Sequence, residues 1–240
     1  MKRFLLVCSL LLLPAQLQAY ETYESFSWLK PIDVDYMTNV GDIRVLYNES
    51  VTTILNRKVP AGLFDKDDAE ATEVIETRLD VNSDDRYIIR YFEGLSGDPV
   101  FTIFKKTKDG LVEMGSFGGT DIIIPGNGNI YTAGHINSMF NIRRKYVLTA
   151  TGIKEVPQPL LYVGIKAKIR KPISIYSTKA LKDTVAKLPK GSTVEVLVSD
   201  GKLYLIKTDF GLLGWYDASN HQPLGLNQNN PIPDLYFKGD

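Results

Sequence analysis

The sequence predicts a mainly β protein in which two β-rich domains follow one another. Short runs of β-branched and aromatic residues, such as "RYIIRYFEG" and "PVFTIFKKT", recur along the chain between turn residues. Charge also divides the chain, because residues 164–218 contain ten Lys and Arg against five Asp and Glu. The rest of the predicted mature chain has a net charge of −7. A basic part and an acidic part indicate two domains with different surfaces.

Residues 1–19 have the layout of a secretory signal peptide. Two basic residues precede the apolar run 4–13, which is too short to span a bilayer, and Ala19 supplies a small residue at the cleavage point. Cys8 lies inside the apolar run and is removed with it, so the mature chain has neither a disulfide nor thiol chemistry. We therefore expect a periplasmic or secreted protein without a lipid anchor or a transmembrane segment.

The N-terminal domain, residues 20–160, is predicted to be antiparallel β structure. Its first part is extended, and the acidic stretch 66–81 has the composition of a helix. Alternation of Ile75, Thr77, Leu79 and Val81 instead favours a strand in its second half.

The remaining strands of this domain follow from turn signals between β-rich runs. Residues 86–94 and 99–107 flank a Gly-rich turn, Asp109-Gly110 marks a hairpin, and two more hairpins fall within 121–134 and 143–156. The pattern leaves a meander, a sandwich and a partial propeller-like arrangement open.

A proline-containing connector, residues 156–164, leads to a second domain over residues 165–220. This domain contains "ISIYS", "LPKGSTVEVL", "LYLIKT" and "GLLGWYDA", which are short strands separated by tight turns. These motifs resemble the bacterial SH3 family, SH3b, over about a quarter of the chain. The resemblance implies a small barrel that binds cell-wall material, a peptide or a protein. The family often has Trp where this chain has Leu203.

The predicted binding residues lie in this barrel. Trp215 is expected to fill the barrel core beside Gly214, and alternation would then place Tyr216 on the exposed face. Tyr204 is a second aromatic candidate. A basic face could contact anionic polymers, and its members are Lys166, Lys168, Arg170 and Lys171. The tail, residues 221–240, is polar but ends in an apolar stretch that is expected to dock.

No catalytic or cofactor-binding set is visible in the sequence. The two histidines, His135 and His221, lie in different predicted domains, and no zinc-ligand spacing or nucleophile elbow occurs. The acidic segment 65–76 matches a calcium loop at its ends but has Glu70 where glycine is required, so a solvated loop is preferred. The cluster "RRK" at 143–145 could contact an anion, although a solvated strand face is the simpler interpretation. We predict no metal, no cofactor and no nucleic-acid partner.

The sequence thus favours an exported non-catalytic binding protein of the bacterial cell envelope, with a wall polymer or an envelope protein as its partner. An immunity or inhibitor protein is the second hypothesis, because the acidic stretch 65–85 could occupy a basic active-site cleft of a cell-wall hydrolase. A carboxylate-dependent hydrolase is the third, but no pair of acids can be selected from the sequence.

Overall fold

A computed structural model describes residues 22–38, 41–60, 70–94, 97–221 and 229–239. Within these ranges the chain forms seventeen strands and two single-turn 3-10 segments, at Glu24–Phe26 and Glu49–Val51. The prediction of a mainly β protein is therefore confirmed. The predicted signal peptide, residues 1–19, lies outside the described residues. No helix in the described part of the chain is long and apolar enough to cross a membrane.

Eleven of these strands belong to the N-terminal part. They are β1 (Lys30–Thr38), β2 (Gly41–Tyr47), β3 (Thr52–Pro60), β4 (Glu70–Thr77), β5 (Tyr87–Glu93), β6 (Pro99–Thr107), β7 (Gly110–Gly118), β8 (Asp121–Ile124), β9 (Asn129–Gly134), β10 (Ile142–Thr149) and β11 (Gly152–Glu155). The segment 70–77 is thus a strand, but it starts before the alternating residues and ends before Leu79 and Val81.

The eleven strands form two sheets. One is the antiparallel meander β3-β4-β5-β6-β7, and the other has the order β1-β2-β8-β9-β10-β11. In the second sheet β2 and β8 run parallel, whereas its other pairs are antiparallel. A parallel pair needs a long crossover connection, and here the whole five-stranded meander forms that crossover.

The two sheets share one hydrophobic core, which makes the N-terminal part a β-sandwich. Ile43, Val45 and Ile122 of the six-stranded sheet pack with Ile75, Ile89 and Phe101 of the meander. Phe117 and Tyr146 join the sheets directly, with ring centroids 5.1 Å apart. Of the three arrangements left open by the sequence, the structure thus shows a sandwich, one sheet of which is a meander.

The outer face of the six-stranded sheet is covered by the segment that precedes β1. Leu29 is buried in a small apolar cluster there, and Phe26 lies against Tyr131 with ring centroids 4.9 Å apart. The Asp121 carboxylate accepts hydrogen bonds from Arg44 at 2.9 and 2.8 Å and from the Tyr23 hydroxyl at 2.6 Å. This network ties the covering segment to the parallel pair of strands.

Six further strands form the C-terminal sheet, in the order β12-β15-β16-β17-β13-β14. They are β12 (Leu161–Lys168), β13 (Ile173–Tyr176), β14 (Thr184–Leu188), β15 (Thr193–Asp200), β16 (Leu203–Thr208) and β17 (Leu213–Asp217). Their inner faces enclose a second core that includes Ile175, Val196 and Ile206. Among the described residues no ladder joins the two edge strands, β12 and β14.

The end of the tail docks on the molecule. Ile232 and Leu235 are fully buried in the second core, beside Phe140 from the N-terminal part. Both histidines hold this segment: His221 Nδ1 lies 2.7 Å from the Leu235 carbonyl oxygen, and His135 Nε2 lies 3.2 Å from that of Tyr236. The histidines thus have structural contacts with two consecutive peptide carbonyls.

Candidate functional site: the outer face of the C-terminal sheet

Gly214 decides which way the side chains of β17 point. It is buried on the inner face, where an added Cβ would lie 2.8–3.0 Å from three side-chain atoms of Ile175. Because successive strand residues point to opposite faces, Trp215 lies on the outer face and Tyr216 on the inner one. The expectation of Trp215 in the core and Tyr216 exposed is therefore wrong. The alternation is correct but its phase is inverted, because the inner position needs a residue without a side chain.

Tyr204 and Tyr216 are neighbours on the inner face, where β16 and β17 pair. Tyr204 is 2% exposed and packs edge-on against Phe140, so its side chain lies below the surface. Tyr216 packs against the same core, and its hydroxyl lies 3.0 Å from His221 Nε2. Burial, together with the nearby Asp217 carboxylate, raises the pKa of Tyr216 to about 12. Both tyrosines therefore pack in or against the second core.

The four predicted basic residues lie at the β12 edge of the sheet. Lys166 and Lys168 alternate along this edge strand, and Arg170 and Lys171 follow in the turn after it; all four are exposed. Lys166 pairs across the ladder with Glu195, which forms an ion pair with Lys207 at 3.3 Å. The structure therefore brings the four basic residues near one another but places them apart from the two tyrosines.

A row of apolar side chains crosses the outer face and was not predicted from the sequence. The ladders pair Tyr162 with Val198, Val198 with Leu205, Leu205 with Trp215 and Trp215 with Tyr176. We call these five residues the outer row. The sequence signal that could have revealed it is Gly214. A glycine that faces inward places the next residue, Trp215, and its cross-strand partners on the outer face.

Two cations lie over the aromatic rings of the outer row. The Lys179 Nζ is 4.9 Å from the ring centroid of Trp215, and the Arg143 guanidinium carbon is 5.1 Å from that of Tyr162. Lys179 also forms an ion pair with Asp200. Such contacts are worth about 0.5–1 kcal/mol at exposed sites, which favours one orientation of each ring.

The turn between β16 and β17 extends this apolar surface. Phe210 is 86% exposed and Leu213 is 49% exposed, and Leu212 is exposed as well. We call these three residues the hairpin tip. Leu213 and Trp215 share the outer face of β17, so the hairpin tip is continuous with the outer row.

Hydrogen bonds give the hairpin tip a defined shape. The Thr208 carbonyl accepts from the Gly211 amide at 2.9 Å, and the Thr208 hydroxyl accepts from the Leu212 amide at 3.0 Å. Asp209 Oδ1 accepts from the Phe210 amide at 2.9 Å. Gly211 has a φ of +94°, a conformation that favours glycine. An exposed apolar group on an ordered turn is typical of an interaction surface.

The described residues contain no group of three or more His, Cys, Asp and Glu that could hold a metal ion. Of the acidic segment considered for calcium, residues 65–69 lie outside the described residues, and the Glu76 carboxylate accepts a hydrogen bond from Lys106 at 2.8 Å. No family model, no curated protein and no solved structure matches this chain. The SH3b resemblance therefore stays a prediction from the sequence motifs.

Proposed function

We propose that the protein is an exported, non-catalytic binding protein of the bacterial cell envelope, and that the outer face of its C-terminal sheet binds an envelope protein. The exposed hairpin tip supports this proposal most directly. Phe210 contributes nothing to either core, and a phenylalanine that stays 86% exposed on an ordered turn suits insertion into an apolar pocket of a partner.

The character of this surface favours a protein partner over an anionic wall polymer. Its continuous part is apolar and aromatic, a composition that is common at the centres of protein interfaces. The basic residues, by contrast, lie along an edge strand, where lysine also prevents pairing with other chains. The inhibitor hypothesis depends on the acidic stretch 65–85, of which residues 65–69 lie outside the described part of the chain.

The binding proposal is tested by capture from a solubilised envelope fraction with the mature chain as bait. The variant Phe210→Ser/Leu213→Ser removes two residues of the hairpin tip, and Leu111→Ser/Val112→Ser removes two exposed apolar residues from β7 as a control. We expect the first variant to capture at least tenfold less of a partner protein than the wild type, since interface anchors contribute about 2 kcal/mol or more. The control variant should retain it.

Equal capture by both variants would contradict the assignment of this surface. Binding to purified wall polymer that disappears in Lys166→Gln/Lys168→Gln and weakens with salt would instead favour the polymer as partner.

Export is tested separately by the intact mass of the protein released from cells, which should correspond to a chain beginning at Tyr20 without an acyl group. A retained N-terminus would contradict the proposed location.

A further inference from the structure

The open end of the N-terminal sandwich contains a cleft of about 320 Å³. One wall is formed where β6 begins and β7 ends, by Pro99, Val100, Gly118 and Gly119. The other wall belongs to β9 and β10 and to the loop between them, and includes Gly134, Asn137, Arg144 and Tyr146. This volume is at the lower end of the range of about 300–1,000 Å³ that is usual for small-molecule sites.

Arg144 occupies an unusual position for an arginine. Arg144 shares a strand face with Tyr146, which packs in the sandwich core. The Cα–Cβ bond of Arg144 therefore points toward the interior. Its neighbours Arg143 and Lys145 lie on the opposite face, against the rings of Tyr162 and Tyr131. The Arg144 side chain is 35% exposed, so its guanidinium is only partly buried and remains accessible at the cleft.

The protein itself compensates Arg144 only weakly. Its nearest acid is Glu155, whose Oε1 lies 3.6 Å from Arg144 Nε. This distance is longer than a hydrogen bond, for which about 2.7–3.2 Å is usual. Among the described residues, the two terminal nitrogens of the guanidinium have no hydrogen-bond acceptor. The planar fork of an arginine matches a carboxylate, which can accept two parallel hydrogen bonds from it.

The other wall limits the class of ligand. Asp98 accepts a hydrogen bond from the Asn137 amide at 2.6 Å, through Oδ2, and adds a negative charge to the cleft. A phosphate with two charges would be repelled there, whereas a ligand with one carboxylate and a nearby N–H donor complements both walls. We infer that the cleft binds the C-terminal end of a peptide, with the carboxylate on Arg144 and an amide N–H toward Asp98.

This site lies on a different domain from the hairpin tip, so its test is independent of the proposed function. The probes are N-acetyl-alanyl-alanine, its C-terminal amide and inorganic phosphate, each titrated into the ¹⁵N-labelled mature chain. We expect saturable shifts of the Gly118, Gly119 and Gly134 amide signals with the free acid. The amide should bind at least tenfold more weakly, because charge-assisted hydrogen bonds are the stronger ones.

Two variants locate the effect at one side chain. Arg144→Gln should weaken binding of the free acid at least tenfold, and Lys145→Gln, with the same loss of charge on the opposite face of β10, should not. Arg144→Lys keeps the charge but lacks the planar guanidinium, so it should also weaken binding of the free acid. This variant replaces Arg144→Gln in the test if Arg144→Gln does not fold. The inference is overturned if the free acid does not bind saturably, if the amide or phosphate binds as tightly, or if the Arg144 variants bind like the wild type.

Discussion

Replacing Gly214 with alanine tests the packing role that we assign to this glycine. The backbone of Gly214 does not have a positive φ, so alanine meets no conformational penalty there. The added methyl would instead lie 2.8, 2.9 and 3.0 Å from Cβ, Cγ1 and Cδ1 of Ile175, which is fully buried. Real Cβ contacts are longer, and the Cβ of Ile175 moves only with its backbone, so β13 and β17 must separate.

The expected loss of stability follows from two opposing effects. Overpacking a well-packed core costs about 1–3 kcal/mol. Alanine also lowers the entropy of the unfolded chain, which returns about 0.4–1 kcal/mol. We therefore expect Gly214→Ala to lower the free energy of unfolding by about 1–2 kcal/mol. The neighbouring variant Leu213→Ala, on the exposed face, should change it by less than about 0.5 kcal/mol.

Urea unfolding provides the measurement, followed by the fluorescence of Trp215 in a Trp28→Phe background. Ile175→Ala removes two of the three crowding atoms, so the double variant with Gly214→Ala should be more stable than the sum of the single effects by at least about 1 kcal/mol. Additive effects, or a Gly214→Ala variant as stable as the wild type, would show that Gly214 does not face Ile175 and would reopen the placement of Trp215.

Three further predictions concern the buried polar groups and the tail. Asp121→Ala should lower the free energy of unfolding by about 3–5 kcal/mol, because it leaves the buried Arg44 without its carboxylate; a loss below about 1 kcal/mol in urea unfolding would contradict this pairing. Leu235→Ala should cost about 2–5 kcal/mol as a cavity in the second core, and an unchanged urea midpoint would show that the tail does not dock. Burial lowers the pKa of both His135 and His221 in the folded protein. Below about pH 6.5 the unfolded chain therefore binds more protons than the folded protein, and the free energy of unfolding should fall between pH 7.5 and 5.5. His221→Asn should reduce that slope in urea titrations at the two pH values, and an unchanged slope would refute its contribution.

The strand positions could be predicted from the sequence because their signals are local. The predicted runs 86–94 and 99–107 correspond to β5 and β6. The predicted turn at Asp109-Gly110 leads into β7, and the hairpin predicted within 143–156 consists of β10 and β11. Turn residues and β-branched runs determine where a strand begins and ends whatever it pairs with. The mainly β fold follows from those signals.

Pairing over long distances could not be predicted in the same way. The parallel pair of β2 and β8 joins residues separated by the whole meander, and no turn marks it in the sequence. The inward direction of Arg144 also depends on which face of β10 the second sheet covers. "RRKY" contains three successive cations, and only the position of the core distinguishes the middle one from its neighbours.

The stretch "GLLGW" joins two roles on opposite faces of one strand. Gly214 lets β17 approach Ile175 on the inner face, and this packing directs Leu213 and Trp215 outward beside Phe210. The same glycine that completes the core therefore determines what the outer surface presents. Substitutions can separate the two roles, because Phe210 and Leu213 can be changed without touching the second core, whereas a change at Gly214 acts on the core first. A variant of the hairpin tip that lost partner capture and kept its full stability would show that the exposed residues, and not the packing of the second core, make this stretch a binding element.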